Sequence, residues 1–88
     1  MEDEVREFLW HIIRDVLHVE VDQCGSDDIL LQEGGLELES LFMTELMVNV
    51  EQEYNIALLE EETPRDLTLG DFVKLVVSKR LAVKGASY

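Results

Sequence analysis

Ser40 lies in the segment Gly35-Leu36-Glu37-Leu38-Glu39-Ser40-Leu41, at the end of a long loop and the start of a helical pattern. Its hydroxyl can cap the helix by accepting an orphan backbone N–H, which is what local physics favours for a serine there. The surroundings hold more than a cap needs. Phe42 falls on the otherwise polar side of the helix with Glu45, Asn49 and Gln52, and Leu41 and Val48 flank that side seven residues apart. An apolar spot ringed by carboxylates beside a hydroxyl is the pattern of a docking surface.

Other chemistry finds less support. A Ser-His-Asp set would need His11 or His18 brought to Ser40 through space, and no glycine-rich nucleophile elbow accompanies the serine. The same two histidines, seven apart with no third ligand near, read as surface residues on a helix flank. One cysteine, Cys24, excludes an intrachain disulfide and a thiolate zinc cluster. The acidic loop from Asp22 to Glu33 lacks the Asp-x-Asp-x-Asp-Gly order of a calcium loop. No catalytic constellation emerges, and the chain is expected not to be an enzyme.

The elements that must position Ser40 are helices. Over residues 4–17, Val5, Phe8, Leu9, Ile12, Ile13 and Val16 follow the i, i+3, i+4, i+7 spacing of an amphipathic helix, with Trp10 on the shoulder of the stripe. Glu2, Asp3 and Glu4 open it, where the helix dipole favours anions. Residues 19–39 have no sustained period. Cys24-Gly25-Ser26-Asp27-Asp28 and Gly34-Gly35 are turn formers, and Ile29, Leu30 and Leu31 are expected to tuck the loop onto the core.

A second helix is expected over 41–54, with Ser40 as N-cap, Asn55 as stop and a core stripe of Met43, Leu46, Met47, Val50 and Tyr54. Glu60-Glu61-Glu62 before Thr63-Pro64 suggests a short helix limited by the proline. Thr68 opens the last helix, where Thr68 and Asp71 resemble a capping box. Leu69, Phe72, Val73, Val76, Val77 and Leu81 supply its apolar side, and residues 83–88 are expected to fray. No stretch alternates as a strand. The expected fold is a small all-α four-helix bundle, three main helices and one short, in a single domain over residues 1–88.

Charge narrows the partners. The chain has 88 residues, 20 acidic and 7 basic, for a net charge of −13. Such a surface argues against nucleic acid and against anionic membranes, and for a partner with a basic face. The charge is uneven: residues 68–88 carry +3, while Glu33 to Glu62 hold nine acidic residues and no basic one. A solvated, solubilising face is the plain explanation; an acidic docking face around the second helix is the functional one. No run reaches the ~18 apolar residues of a membrane span. The acidic start is unlike a leader peptide, and a lone thiol suits a reducing compartment. A cytoplasmic, free-standing monomer is expected.

The sequence resembles the acyl carrier proteins of fatty-acid and polyketide synthesis, over about residues 4–82. Their Asp-Ser-Leu motif opens the second helix of a four-helix bundle, and here it reads Glu39-Ser40-Leu41. Downstream, Glu45-Leu46, Glu51-Gln52-Glu53-Tyr54-Asn55-Ile56, Glu60-Glu61-Glu62 and Thr68-Leu69-Gly70-Asp71 follow the family in register. Departures are Glu39 for the usual Asp, Glu37 where the family often has Gly, and Phe42 where fatty-acid members often carry a polar residue. These point to a specialised pathway.

The resemblance implies that Ser40 carries 4′-phosphopantetheine, delivered from coenzyme A by a phosphopantetheinyl transferase, with acyl groups held as thioesters on the arm. It implies docking on basic patches of acyltransferase- or ketosynthase-type enzymes through Glu39, Leu41, Glu45, Val48 and Glu51, with Phe42 as a contact particular to this chain. The Met43, Leu46, Met47 and Ile56 stripe would be mainly core, with some capacity to shelter an acyl chain. The alternative is an unmodified acidic interaction module in which Ser40 only caps its helix. A hydrolase is the third class.

Overall fold

The apolar stripe of the N-terminal segment produces a helix whose register changes part-way. In a computed structural model describing residues 2–19, 27–32 and 34–86, with side chains through Leu81, helix α1 runs Glu2–His11 and continues as a π-helical stretch, Ile12–Val16. Leu17 N–H donates to Ile12 C=O at 2.9 Å, the five-residue reach of the wider turn. The extra residue moves the stripe by one position. Leu17 is therefore buried and Val16, expected in the core, is 42% exposed. Trp10 lies fully inside rather than on a shoulder.

Helix α2 spans Ser40–Tyr54 and helix α3 spans Leu69–Ala86. Asn55 ends α2 in the left-handed region at φ 55°, as a stop residue does, with its N–H on Glu51 C=O. Between α2 and α3 lies one 3-10 turn, Glu60–Glu62, where a short helix was expected. Its Glu62 carboxylate accepts the Leu59 N–H at 3.0 Å and pairs with Lys79 of α3 at 2.9 Å. The protein is all-α, and the described residues form three helices and this turn.

Helix α3 starts with the expected reciprocal cap. Asp71 N–H donates to Thr68 Oγ1 at 3.1 Å, and Thr68 N–H reaches Asp71 Oδ2 at 3.5 Å. The helix continues to Ala86, past the point where fraying was expected, and Leu81 is 54% exposed rather than core. Cys24 with its neighbouring turn residues, and residues 87–88, lie outside the described residues.

Among the described residues eighteen buried apolar side chains make one core, with Leu9, Ile13, Leu46, Phe72, Val73 and Val76 at its centre. Each fully buried side chain of this size contributes roughly 1.5–3 kcal/mol. At one end, Phe8 of α1 meets Tyr54 of α2 edge to face, ring centres 5.4 Å apart, and the Arg80 guanidinium of α3 lies 4.7 Å above the Tyr54 ring. These contacts join all three helices. Burial and nearby Glu4 raise the Tyr54 phenol above its usual range.

The loop before α2 is stitched to the start of α3. Leu30 and Thr68 form an isolated antiparallel bridge. Leu31 N–H donates to Leu67 C=O at 3.1 Å, Leu69 N–H to Ile29 C=O at 2.9 Å, and Gly70 N–H to Asp27 C=O at 2.9 Å. Asp27 also takes a two-pronged ion pair from Arg6 of α1 at 2.7 and 2.8 Å, which holds its carboxyl below the usual range. As expected, Leu31 is fully buried, with Ile29 and Leu30 half-buried beside it.

Candidate functional site

Three residues of tight backbone place Ser40. Leu36 N–H donates to Leu30 C=O, Glu37 N–H to Gln32 C=O and Leu38 N–H to Leu31 C=O, at 2.8, 2.9 and 3.0 Å. The chain thus doubles back on itself, and buried Leu38 pins its end to the core. Gly35 is obligatory here, because a Cβ would lie 1.9 Å from Leu30 C=O. Glu37 sits at φ 57°, the left-handed conformation in which glycine is favoured. Its carboxylate accepts the Gly34 N–H at 3.1 Å, a local bond that helps hold the turn. The position where the resemblance calls for Gly therefore has the backbone of a glycine.

The N-cap of α2 is Glu39, not Ser40. Glu39 is extended (φ −74°, ψ 166°), and its C=O accepts the first helical bond, from Met43 N–H at 2.9 Å. Its side chain makes no capping bond. Ser40 is the first helical residue. It is exposed, and among the described residues its hydroxyl makes no hydrogen bond. The capping explanation for this serine therefore fails on the geometry of the residue before it.

The neighbours divide into an exposed set and an engaged set. Leu41 is 67% exposed and Val48 41% exposed, on the face that also presents Glu39 and Glu45. Phe42, expected on the polar side, is half-buried against the core. Glu51 is not a free surface carboxylate either: it is half-buried and accepts the Leu58 N–H at 2.8 Å. That bond fixes the chain leaving α2. Met43 and Leu46 are core, Ile56 is buried, and Met47 is half-buried with Thr63 Oγ1 3.8 Å from its sulfur.

Two depressions open at Ser40. One, about 440 Å³, runs along α2 from Ser40 past Met43, Met47 and Val48 to Glu51, with Thr63, Pro64 and Arg65 as its far wall. The other, about 290 Å³, is bounded by Gln32, Glu37, Leu38, Glu39 and Arg65. Sequence reasoning missed Arg65 because it lies 25 positions after the serine and matches no motif. Its only sequence signal was being the lone basic residue between Arg14 and Lys74.

The histidines lie apart from this site. His11 Nδ1 is 2.8 Å from Asp15 Oδ2 on the exposed side of α1, and His18 is an exposed residue at φ 57°. No described helix is long and apolar enough to cross a membrane. No protein-family model matches the chain, and no solved structure matches it significantly.

Proposed function

We propose that the protein is an acyl carrier whose Ser40 bears 4′-phosphopantetheine. The observation that carries the reading is the exposed, uncommitted Ser40 hydroxyl in the first turn of α2, displaced from the capping role by Glu39. The site suits the group. The hydroxyl is open to an incoming enzyme, the first turn of α2 favours an added anion, and the depressions on either side leave room for an arm. In attachment, the Ser40 Oγ–P bond forms and the P–O bond to the nucleotide half of coenzyme A breaks. The hydroxyl proton leaves to a base on the transferase.

When bound, the arm supplies a thiol on which acyl groups ride as thioesters. The chain's own residues do no bond-making beyond Ser40. They present the arm and raise its local concentration at each enzyme visited. Leu41 and Val48 offer an apolar spot within the acidic face of Glu39 and Glu45, suited to fast, weak, salt-sensitive docking on basic partners. Partners of this kind are acyltransferases, ketosynthases and the modifying transferase, working in a cytoplasmic, specialised fatty-acid-like or polyketide pathway.

Thiol titration under denaturing conditions tests the reading. The chain has one cysteine, so loading raises the count from one thiol to two, and Ser40→Ala stays at one. A count of one in the wild type, after incubation with coenzyme A, magnesium and a broad-specificity transferase, favours an unmodified interaction module instead.

A further inference from the structure

We infer that Arg65 is the residue that grips the phosphodiester of the arm on Ser40. This rests on the carrier reading and adds to it a contact made by the chain itself. Arg65 stands just past Pro64 on the exposed link between the 3-10 turn and α3. It lines both depressions that reach Ser40, and among the described residues it is the only cation lining either.

The surrounding charge makes this placement informative. Among the described residues four carboxylates share those walls: Glu51 and Glu60 in one depression, Glu37 and Glu39 in the other. Two of them are committed to backbone N–H groups, Glu51 to Leu58 and Glu37 to Gly34. Arg65 pairs with none of the four, and among the described residues it makes no hydrogen bond or ion pair. Arg6, Lys79 and Arg80 each face a carboxylate instead. An uncommitted guanidinium that shares both depressions with a serine suits a phosphodiester monoanion, to which its planar fork can donate two N–H groups.

The same carboxylates set a limit on the contact. Free phosphate would meet Glu37 and Glu39 as well as Arg65, and no covalent bond would hold it there. The contact therefore belongs to the tethered phosphate and not to anions in solution.

The test uses ¹⁵N-labelled full-length protein, loaded with the arm and checked by intact mass. The Arg65 Nε–Hε resonance, identified by its loss in Arg65→Lys, is followed beside those of Arg6, Arg14 and Arg80. Loading is expected to shift Arg65 and leave Arg6 in place. The ³¹P resonance of the loaded wild type is expected to differ from that of loaded Arg65→Gln, with Arg65→Lys between them. Millimolar inorganic phosphate added to the unloaded protein is expected to leave Arg65 unshifted.

Complete loading with no Arg65 shift, or with identical ³¹P resonances in wild type and Arg65→Gln, overturns this inference and leaves the carrier reading standing. A shift with free phosphate equal to that on loading also overturns it, since Arg65 would then be a general anion site. Failure of the wild type to load overturns the carrier reading, and this inference with it.

Discussion

Glu37 offers a test in which the sign of the effect, more than its size, is decisive. At an ordinary backbone position Ala is more stable than Gly by about 0.4–1 kcal/mol, because Gly has more freedom to lose on folding. Glu37 is at φ 57°, where an L-residue other than Gly carries a cost of roughly 1–2 kcal/mol. Both Glu37→Ala and Glu37→Gly lose the carboxylate bond to Gly34 N–H, so that loss cancels in the comparison. What remains is the left-handed cost less the glycine entropy, leaving Glu37→Gly more stable than Glu37→Ala by about 0–1.6 kcal/mol, roughly 0.8 at mid-range. In a domain of this size the mid-range value separates the melting temperatures by about 3–6 °C. Urea and thermal melts followed by circular dichroism at 222 nm measure it. If Glu37→Ala proved the more stable, the turn that presents Ser40 would not have the conformation described, and the account of how the serine is positioned would fail.

Gly35→Ala is expected to destabilise the protein by about 1–3 kcal/mol or more, because the new Cβ meets a backbone carbonyl that cannot move aside; chemical denaturation reads this directly. Leu46→Ala, at a fully buried site, is expected to cost about 2–5 kcal/mol with α2 most affected in hydrogen exchange. Asp27 and Glu62 both have carboxyls held low, by Arg6 and by Lys79. Their contribution to stability is present above the unfolded carboxylate range and is lost as pH falls through their lowered folded values. Acid titration should therefore show a loss below about pH 4 that is smaller in Asp27→Asn. Glu39→Gln with Glu45→Gln is expected to weaken docking on a basic partner by up to about fivefold per carboxylate, from ~1 kcal/mol each, while leaving the melting curve unchanged. The weakening should vanish at high salt.

The helices were legible because each buries a stripe with helical spacing, and the Thr68–Asp71 cap and the Asn55 stop were legible because their chemistry is local. Four features were not. The π-helical turn in α1 has no composition of its own. It puts Leu17 inside and leaves Val16 exposed, so a strict 3.6-residue count placed the wrong residue in the core. The cap of α2 depended on the conformation of Glu39, which is set by Leu38 anchoring the chain to the core and not by the preference of serine for caps. Glu51 looked like one more surface carboxylate, and only the folded chain brings Leu58 N–H to it. Arg65 was invisible for the same reason: its neighbourhood with Ser40 is made by tertiary packing between the loop and the segment before α3.

Carriage of the arm on Ser40 is tested by intact mass after incubation with coenzyme A, magnesium and a broad-specificity phosphopantetheinyl transferase, with Ser40→Ala alongside. The wild type is expected to gain one phosphopantetheine and Ser40→Ala none. No gain on the wild type, repeated with Glu39→Asp and Glu37→Gly to restore the more usual surroundings of the serine, would contradict that carriage.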